Sequence, residues 1–170
     1  MTVLREGEGK GALELTLPPG VHGRKFDDRK HGLSHCMKAV DFIVDEPDRV
    51  LFIEFKDPDH PHAPPDKRKT FLEELRTGGK DDDLVRKYRD SFIYRWAERF
   101  EEKPISYYVL VAASSLDEAM LLARTEELKR KLPANGPSSG AWLRQIVAGC
   151  AVFNLETWNR HLPNYPVTRV

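Results

Sequence analysis

Hydrophobic and polar residues alternate in some segments of the chain and follow a helical period in others, and the two patterns predict its elements. Leucines at every second position predict a half-buried strand over residues 12–18. Two runs rich in branched and aromatic residues, 36–44 and 50–56, predict strands joined by the turn DEPDR. A fourth run, residues 105–113, has the composition of a central strand.

Helical periodicity is clearest over residues 81–102, where acidic residues at the start suit the helix dipole. A short helix over 67–75 is expected to end at Gly78-Gly79. A capping box of Ser115 and Glu118 predicts a further helix that ends in a basic cluster. The apolar stripe of the long helix consists of Val85, Tyr88, Phe92, Trp96 and Phe100.

The last part of the chain predicts a short helix at 141–147, a strand at 150–155 and an irregular tail. The full order is strand, strand, strand, helix, helix, strand, helix, helix, strand. Because strands and helices do not alternate strictly, this order predicts an α/β protein with a mixed sheet flanked by helices. At 170 residues, the chain 1–170 fits a single domain.

Composition and charge narrow the classes of function. Lys plus Arg and Asp plus Glu both number 27, so the net charge is zero, and binding to nucleic acid by bulk charge alone is not expected. Cys36 and Cys150 form no CxxC pair, which indicates two buried thiols in a reducing compartment. No run is apolar enough to span a membrane or to act as a signal peptide. A cytoplasmic protein is therefore expected.

Two charged residues interrupt the apolar strand 50–56. A turn centred on Pro47-Asp48 pairs residues whose numbers sum to 95, which sets Asp41 opposite Glu54, with Lys56 on the same face. Two adjacent carboxylates repel unless a cation lies between them or one keeps its proton, and their oxygens suit Mg²⁺. The structural alternative is an ion pair of Lys56 with one of the acids and no catalysis.

The segment AVDFIVDEPDRVLFIEFKD, residues 39–57, resembles the core motif of the PD-(D/E)xK nuclease superfamily, an Asp on one strand followed by Glu-x-Lys on the next. The resemblance implies a restriction-endonuclease-like fold and Mg²⁺- or Mn²⁺-dependent hydrolysis of phosphodiesters, with DNA as the expected nucleic acid. It assigns the metal to Asp41, Glu54 and the carbonyl of Phe55, and assistance of the attacking water to Lys56. Concerted double-strand cuts would need a homodimer.

Two departures from the family pattern leave a second hypothesis open. Val40 stands where proline is common, and no N-terminal helix supplies a further acid. Glu14, Asp27 and Asp28 are the nearby acids, and each is expected to be plain surface. The alternative is a non-catalytic module of the same fold that works by binding a partner, which the neutral net charge favours.

The loop 57–66 and several basic residues offer further candidates. His60 and His62, with Asp57 and Asp59, would suit a Zn²⁺ protein, although a substrate-contacting loop is the preferred interpretation. The basic side chains of the long helix, Lys87 among them, are expected on a solvated face. Better candidates for phosphate contacts flank the hairpin: Arg24, Lys25, Arg29, Lys30, Lys67, Arg68 and Lys69.

Overall fold

Eight strands and four helices form two β-sheets with helices against them in the part of the chain that the computed structural model describes, residues 2–28, 30–99 and 102–170. In chain order the elements are β1 (Thr2–Glu6), β2 (Leu13–Leu17), β3 (His22–Lys25), β4 (Phe42–Asp45), β5 (Val50–Lys56), α1 (Pro65–Thr77), α2 (Asp81–Arg99), β6 (Ile105–Val111), α3 (Glu118–Lys131), β7 (Gly149–Phe153), α4 (Leu155–His161) and β8 (Val167–Arg169). Within the same residues, no helix combines the length and the apolar character needed to cross a membrane.

The larger sheet is mixed, with the strand order β3-β4-β5-β6-β7. Its first three strands pair antiparallel, whereas β5, β6 and β7 pair parallel through the crossover helices α1, α2 and α3. The smaller sheet, β1-β2-β8, is antiparallel throughout. The predicted α/β class with a mixed sheet is therefore confirmed.

The two faces of the larger sheet carry separate hydrophobic clusters. Ile43 and Phe52 pack towards α2 and α3, where Tyr88 belongs to the same cluster. Side chains on the opposite face, such as Ile53, pack with the smaller sheet and with Trp158 of α4. Helices thus cover one face of the mixed sheet, and a second sheet with one short helix covers the other.

The hairpin of β4 and β5 has the predicted register. Ile43 pairs with Phe52, and the other partners of this ladder also sum to 95. The strand predicted over 36–44 begins only at Phe42, because the preceding amides bond elsewhere: Lys38 N–H donates to Asp90 and Val40 N–H donates to Ser91, both on α2. Val40 therefore joins the cluster beneath α2, although strict alternation from Ile43 would place it on the opposite face of the sheet.

Helix ends agree in part with the predicted signals. Gly78, with φ +83°, ends α1 in the left-handed conformation that glycine tolerates best, and its N–H donates to Leu75 O. The capping box of Ser115 and Glu118 is wrong, because Asp117 is the N-cap of α3 and accepts from Met120 N–H at 2.8 Å.

Several elements differ from the sequence prediction. Strands β1, β3 and β8 and helix α4 were not predicted, and residues 141–147 form bends instead of a helix. Gly23 allows β3 to approach the smaller sheet, since an added Cβ there would lie 2.5 Å from Leu17 Cδ1. Residues 18–35, for which no element was predicted, therefore add an edge strand beside β4. Of the two cysteines that were expected to be buried, Cys150 is buried and Cys36 is exposed.

Candidate functional site

The three acidic and basic side chains predicted from the motif converge at the ends of β4 and β5. Asp41, one residue before β4, accepts a hydrogen bond through Oδ2 from the Phe55 N–H at 2.6 Å. Lys56 Nζ lies 2.7 Å from Glu54 Oε1. Asp41 is 3% exposed and Glu54 is fully buried, so both carboxyl groups are withdrawn from water. The hairpin therefore brings together all four residues named by the resemblance.

A fourth side chain, Lys87 of α2, lies between the two carboxylates. Its Nζ is 2.6 Å from Glu54 Oε1 and 3.4 Å from Asp41 Oδ1. The prediction of a solvated face for Lys87 is wrong, since only 16% of its side chain is exposed. One ammonium thus bridges the pair of acids, and a second, that of Lys56, contacts Glu54.

The burial of Lys87 follows from the orientation of α2. Its fully buried polar face runs through Tyr88, Ser91 and Arg95, and Arg95 donates to Asp45 at 2.9 Å. Trp96, which the predicted stripe places in the core, is 53% exposed. The stripe's last residue, Phe100, lies outside the described residues.

The sequence held one signal that could have identified Lys87. Leu84, Tyr88, Ser91 and Arg95 also have helical spacing, and the face that they define is rotated by about 90° from the chosen stripe. Leu84 and Lys87 are three residues apart and lie on neighbouring parts of one helix face. Selecting that face would have directed the Lys87 side chain at the sheet.

Burial and charge shift the protonation of this cluster. Burial raises the pKa of Asp41 well above its usual value, and repulsion from Glu54 adds to the rise; together they outweigh the opposing effects of Lys87 and the Phe55 N–H. Burial lowers the pKa of Lys87, but Glu54 and Asp41 more than offset it, so the net pKa is raised. Lys87 therefore stays an ammonium, and the raised pKa lets Asp41 hold its proton to a higher pH than an exposed aspartic acid does.

Two further acids approach Asp41 from the other side. Glu6 on β1 and Asp27 after β3 each place a carboxylate oxygen within 4.8 Å of the others and of Asp41. Lys25 Nζ lies 2.7 Å from Glu6 and 3.7 Å from Asp27. Asp27 is thus half-buried beside the site instead of plain surface, and Glu6 was missed because β1 was not predicted. The remaining nominated acids lie elsewhere in ion pairs, Glu14 with Arg5 and Asp28 with Lys30.

The donor set at Asp41 and Glu54 fits a divalent cation such as Mg²⁺. Carboxylate oxygens are the hard ligands that Mg²⁺ prefers. Glu54 Oε2 is buried and has no hydrogen-bond partner among the described residues, although Oε1 contacts two ammonium groups. A buried carboxylate oxygen without a partner is costly, and a cation would satisfy it.

The Zn²⁺ hypothesis for the loop after β5 finds no support in the geometry. Asp57 is engaged by Arg169 at 2.6 and 2.7 Å, and Asp59 accepts from Arg68 at 2.6 Å. Across residues 2–28, 30–99 and 102–170, the cluster at Glu6 is the one set of three possible ligands close enough to share an ion, and it includes neither His60 nor His62.

The basic residues nominated for phosphate contacts divide into paired and exposed ones. Arg24 bonds Glu98 at 2.8 Å, and Lys25 and Arg68 bond acids as described above. Lys67 and Lys69 are exposed on α1, directly after the loop that follows Lys56. Arg29 lies outside the described residues.

The fold and the site define an α/β protein with a buried carboxylate pair neutralised by two lysines. Comparisons with protein-family models, with curated proteins and with solved structures found no significant match to this chain. The function of the chain is therefore inferred from the geometry of the cluster and from the motif.

Proposed function

We propose that this chain is a Mg²⁺-dependent nuclease that hydrolyses phosphodiester bonds in DNA. The observation that carries the proposal is the hairpin that brings Asp41, Glu54 and Lys56 together and leaves the buried Oε2 of Glu54 without a hydrogen-bond partner among the described residues. The element order supports it further: two helices follow the motif, then β6, α3 and β7 complete a mixed sheet. That order is the one expected from the resemblance to PD-(D/E)xK nucleases.

The residues of the hairpin would have different roles in such a reaction. Asp41, Glu54 and the Phe55 carbonyl would hold the metal, which would supply a Lewis acid for the phosphate and for water. Lys56, whose side chain is 25% exposed, reaches solvent from the last position of β5. Its ammonium donates hydrogen bonds that orient the attacking water, and its charge stabilises the phosphate oxygens as negative charge develops on them.

DNA contacts outside the reacting centre are proposed for α1. Lys67 and Lys69 are exposed there, and the loop of residues 57–64 connects α1 to Lys56. Such contacts position a nucleic acid without reading its sequence. A homodimer, which concerted double-strand cleavage would require, is tested by measuring whether nicked or linear plasmid forms first.

Cleavage assays with matched variants test the nuclease proposal. Supercoiled plasmid, single-stranded DNA and RNA are incubated with Mg²⁺ or Mn²⁺ and with wild type, D41N, E54Q or K56M. We expect wild type to cleave DNA and each variant to lose about 100-fold or more of the rate. The control K129M removes an exposed ammonium on α3, 3.0 Å from Glu126, and is expected to cleave normally. Equal rates for wild type, D41N and K56M would contradict the catalytic assignment.

One observation favours a second candidate, a non-catalytic binding module of the same fold. Lys56 and Lys87 supply two positive charges to Glu54 and Asp41, as in a purely structural ion-pair cluster. That candidate predicts wild-type protein that binds DNA or a protein partner yet neither takes up Mn²⁺ nor cleaves any of the three substrates.

A further inference from the structure

We propose that the Lys87 ammonium occupies the cation position of the site in the metal-free chain and is displaced when the metal binds. Metal uptake is then an exchange of one cation for another, and Lys87 sets the metal affinity. The inference builds on the proposed function, because it concerns the same Asp41 and Glu54 carboxylates.

The position of the ammonium supports this exchange. Lys87 Nζ lies within 3.4 Å of oxygens from both Asp41 and Glu54, which is where a shared cation would lie. A dication and an ammonium repel strongly at such separations, so both cannot occupy this position together. Binding of the metal therefore requires that Lys87 move.

The Lys87 ammonium does not contact all the carboxylate oxygens of the site. It contacts Glu54 Oε1, which Lys56 also contacts, while the buried Glu54 Oε2 has no hydrogen-bond partner among the described residues. A lysine places its charge at one point, whereas a metal ion accepts several oxygens around it. The Glu54 Oε2 atom thus indicates that the site offers more oxygen ligands than Lys87 contacts.

The displaced side chain has an acceptor close by. Asp83 lies one turn earlier on α2, and its side chain is 32% exposed and already contacts Lys38. An acid four residues before a lysine is the favourable order for an ion pair on a helix. Lys87, itself 16% exposed, can therefore swing outwards to Asp83 without leaving its charge in an apolar environment.

Calorimetric titration with Mn²⁺ tests the exchange through the variant K87M, which keeps an unbranched side chain, one atom shorter than lysine, and removes its charge. We expect Mn²⁺ to bind K87M about tenfold more tightly or better than wild type, because no ammonium has to be displaced. We also expect a larger rise of Tm on adding Mn²⁺. The control K131M, which loses an ammonium 3.2 Å from Asp81, should bind Mn²⁺ as wild type does.

If K87M fails to fold, a measurement on wild-type protein shows whether metal binding displaces Lys87. Lysines are acetylated with an amine-reactive ester, with and without Mg²⁺, and the rate at each lysine is read by peptide mass spectrometry. We expect Mg²⁺ to raise the labelling rate of Lys87 and to leave that of Lys131 unchanged. An unchanged rate at Lys87 under conditions where calorimetry detects bound metal would overturn the inference.

The outcomes separate this inference from the proposed nuclease function. Wild type that releases no heat with Mn²⁺ or Mg²⁺ contradicts both. Wild type that binds metal, with K87M binding equally or more weakly, overturns the exchange at Lys87 alone and leaves the nuclease proposal standing.

Discussion

Replacing Asp41 by asparagine should change how the stability of the fold depends on pH. The folded-state pKa of Asp41 is raised, so between pH 3.8 and that pKa the folded chain binds a proton that the unfolded chain has released. The contribution of Asp41 to stability is therefore fully present below the unfolded pKa and is lost as pH rises through the window. One proton corresponds to a slope of about 1.4 kcal/mol per pH unit at most.

Urea unfolding of wild type and D41N, in metal-free buffers from about pH 4 to pH 8, measures this slope. We expect the free energy of unfolding of wild type minus that of D41N to fall as pH rises from 4, and to level off above the folded pKa. The subtraction removes the contributions of titrating groups that do not interact with Asp41. A difference that stays flat from pH 4 upwards would refute the account of Asp41 as a buried, repelled carboxyl group.

A second carboxylate supplies a control of opposite sign. Although burial raises the pKa of Asp59, bonds from Arg68 and Ser114 lower it overall. Its contribution to stability is therefore present above the unfolded pKa of 3.8 and is lost as pH falls through the folded value. When the urea series is extended below pH 4, the free energy of unfolding of wild type minus that of D59N should rise with pH up to about pH 4. Above that pH the difference should stay constant.

Three further predictions concern single side chains. Lys56→Met should lower kcat by about 100-fold or more in the cleavage assay while Mn²⁺ still binds by calorimetry; loss of metal binding would argue against its role at the water. Trp158→Ala, which empties a fully buried site beside Phe55, should cost about 3–5 kcal/mol in urea unfolding, and a cost below 1 kcal/mol would contradict this packing. Asn154→Ala removes the acceptor of the Thr157 N–H in the capping box of α4 and should cost about 1 kcal/mol by the same measurement, whereas no loss would show that the cap is dispensable.

The hairpin could be predicted from sequence because its information is local. A two-residue tip fixes the register, and the alternation of side chains then assigns Phe52 and Ile53 to opposite faces, as observed. The same local rule placed Asp41 beside Glu54. It failed at Val40, because α2 supplies Ser91 as the partner of that amide from 51 residues away.

Lys87 and Glu6 also enter the site through tertiary contacts, and for Lys87 the choice of helix face was the one signal that the sequence offered. Lys87 contacts Glu54 from 33 residues away, and Glu6 lies on β1, a strand that the sequence did not predict. A charged side chain on a helix is solvated by default, and only packing against the sheet makes it a member of the cluster. Short edge strands such as β8, with three residues, carry too few alternating positions to be recognised.

A crystal structure with Mn²⁺ bound would show directly whether Asp41 and Glu54 form the proposed metal site. Crystals soaked in saturating Mn²⁺ should show an anomalous-scattering peak between the two carboxylates and beside the Phe55 carbonyl, with Lys87 turned away from both acids. If no peak appears there and Lys87 still bridges Asp41 and Glu54, the proposed metal site at these two carboxylates is contradicted.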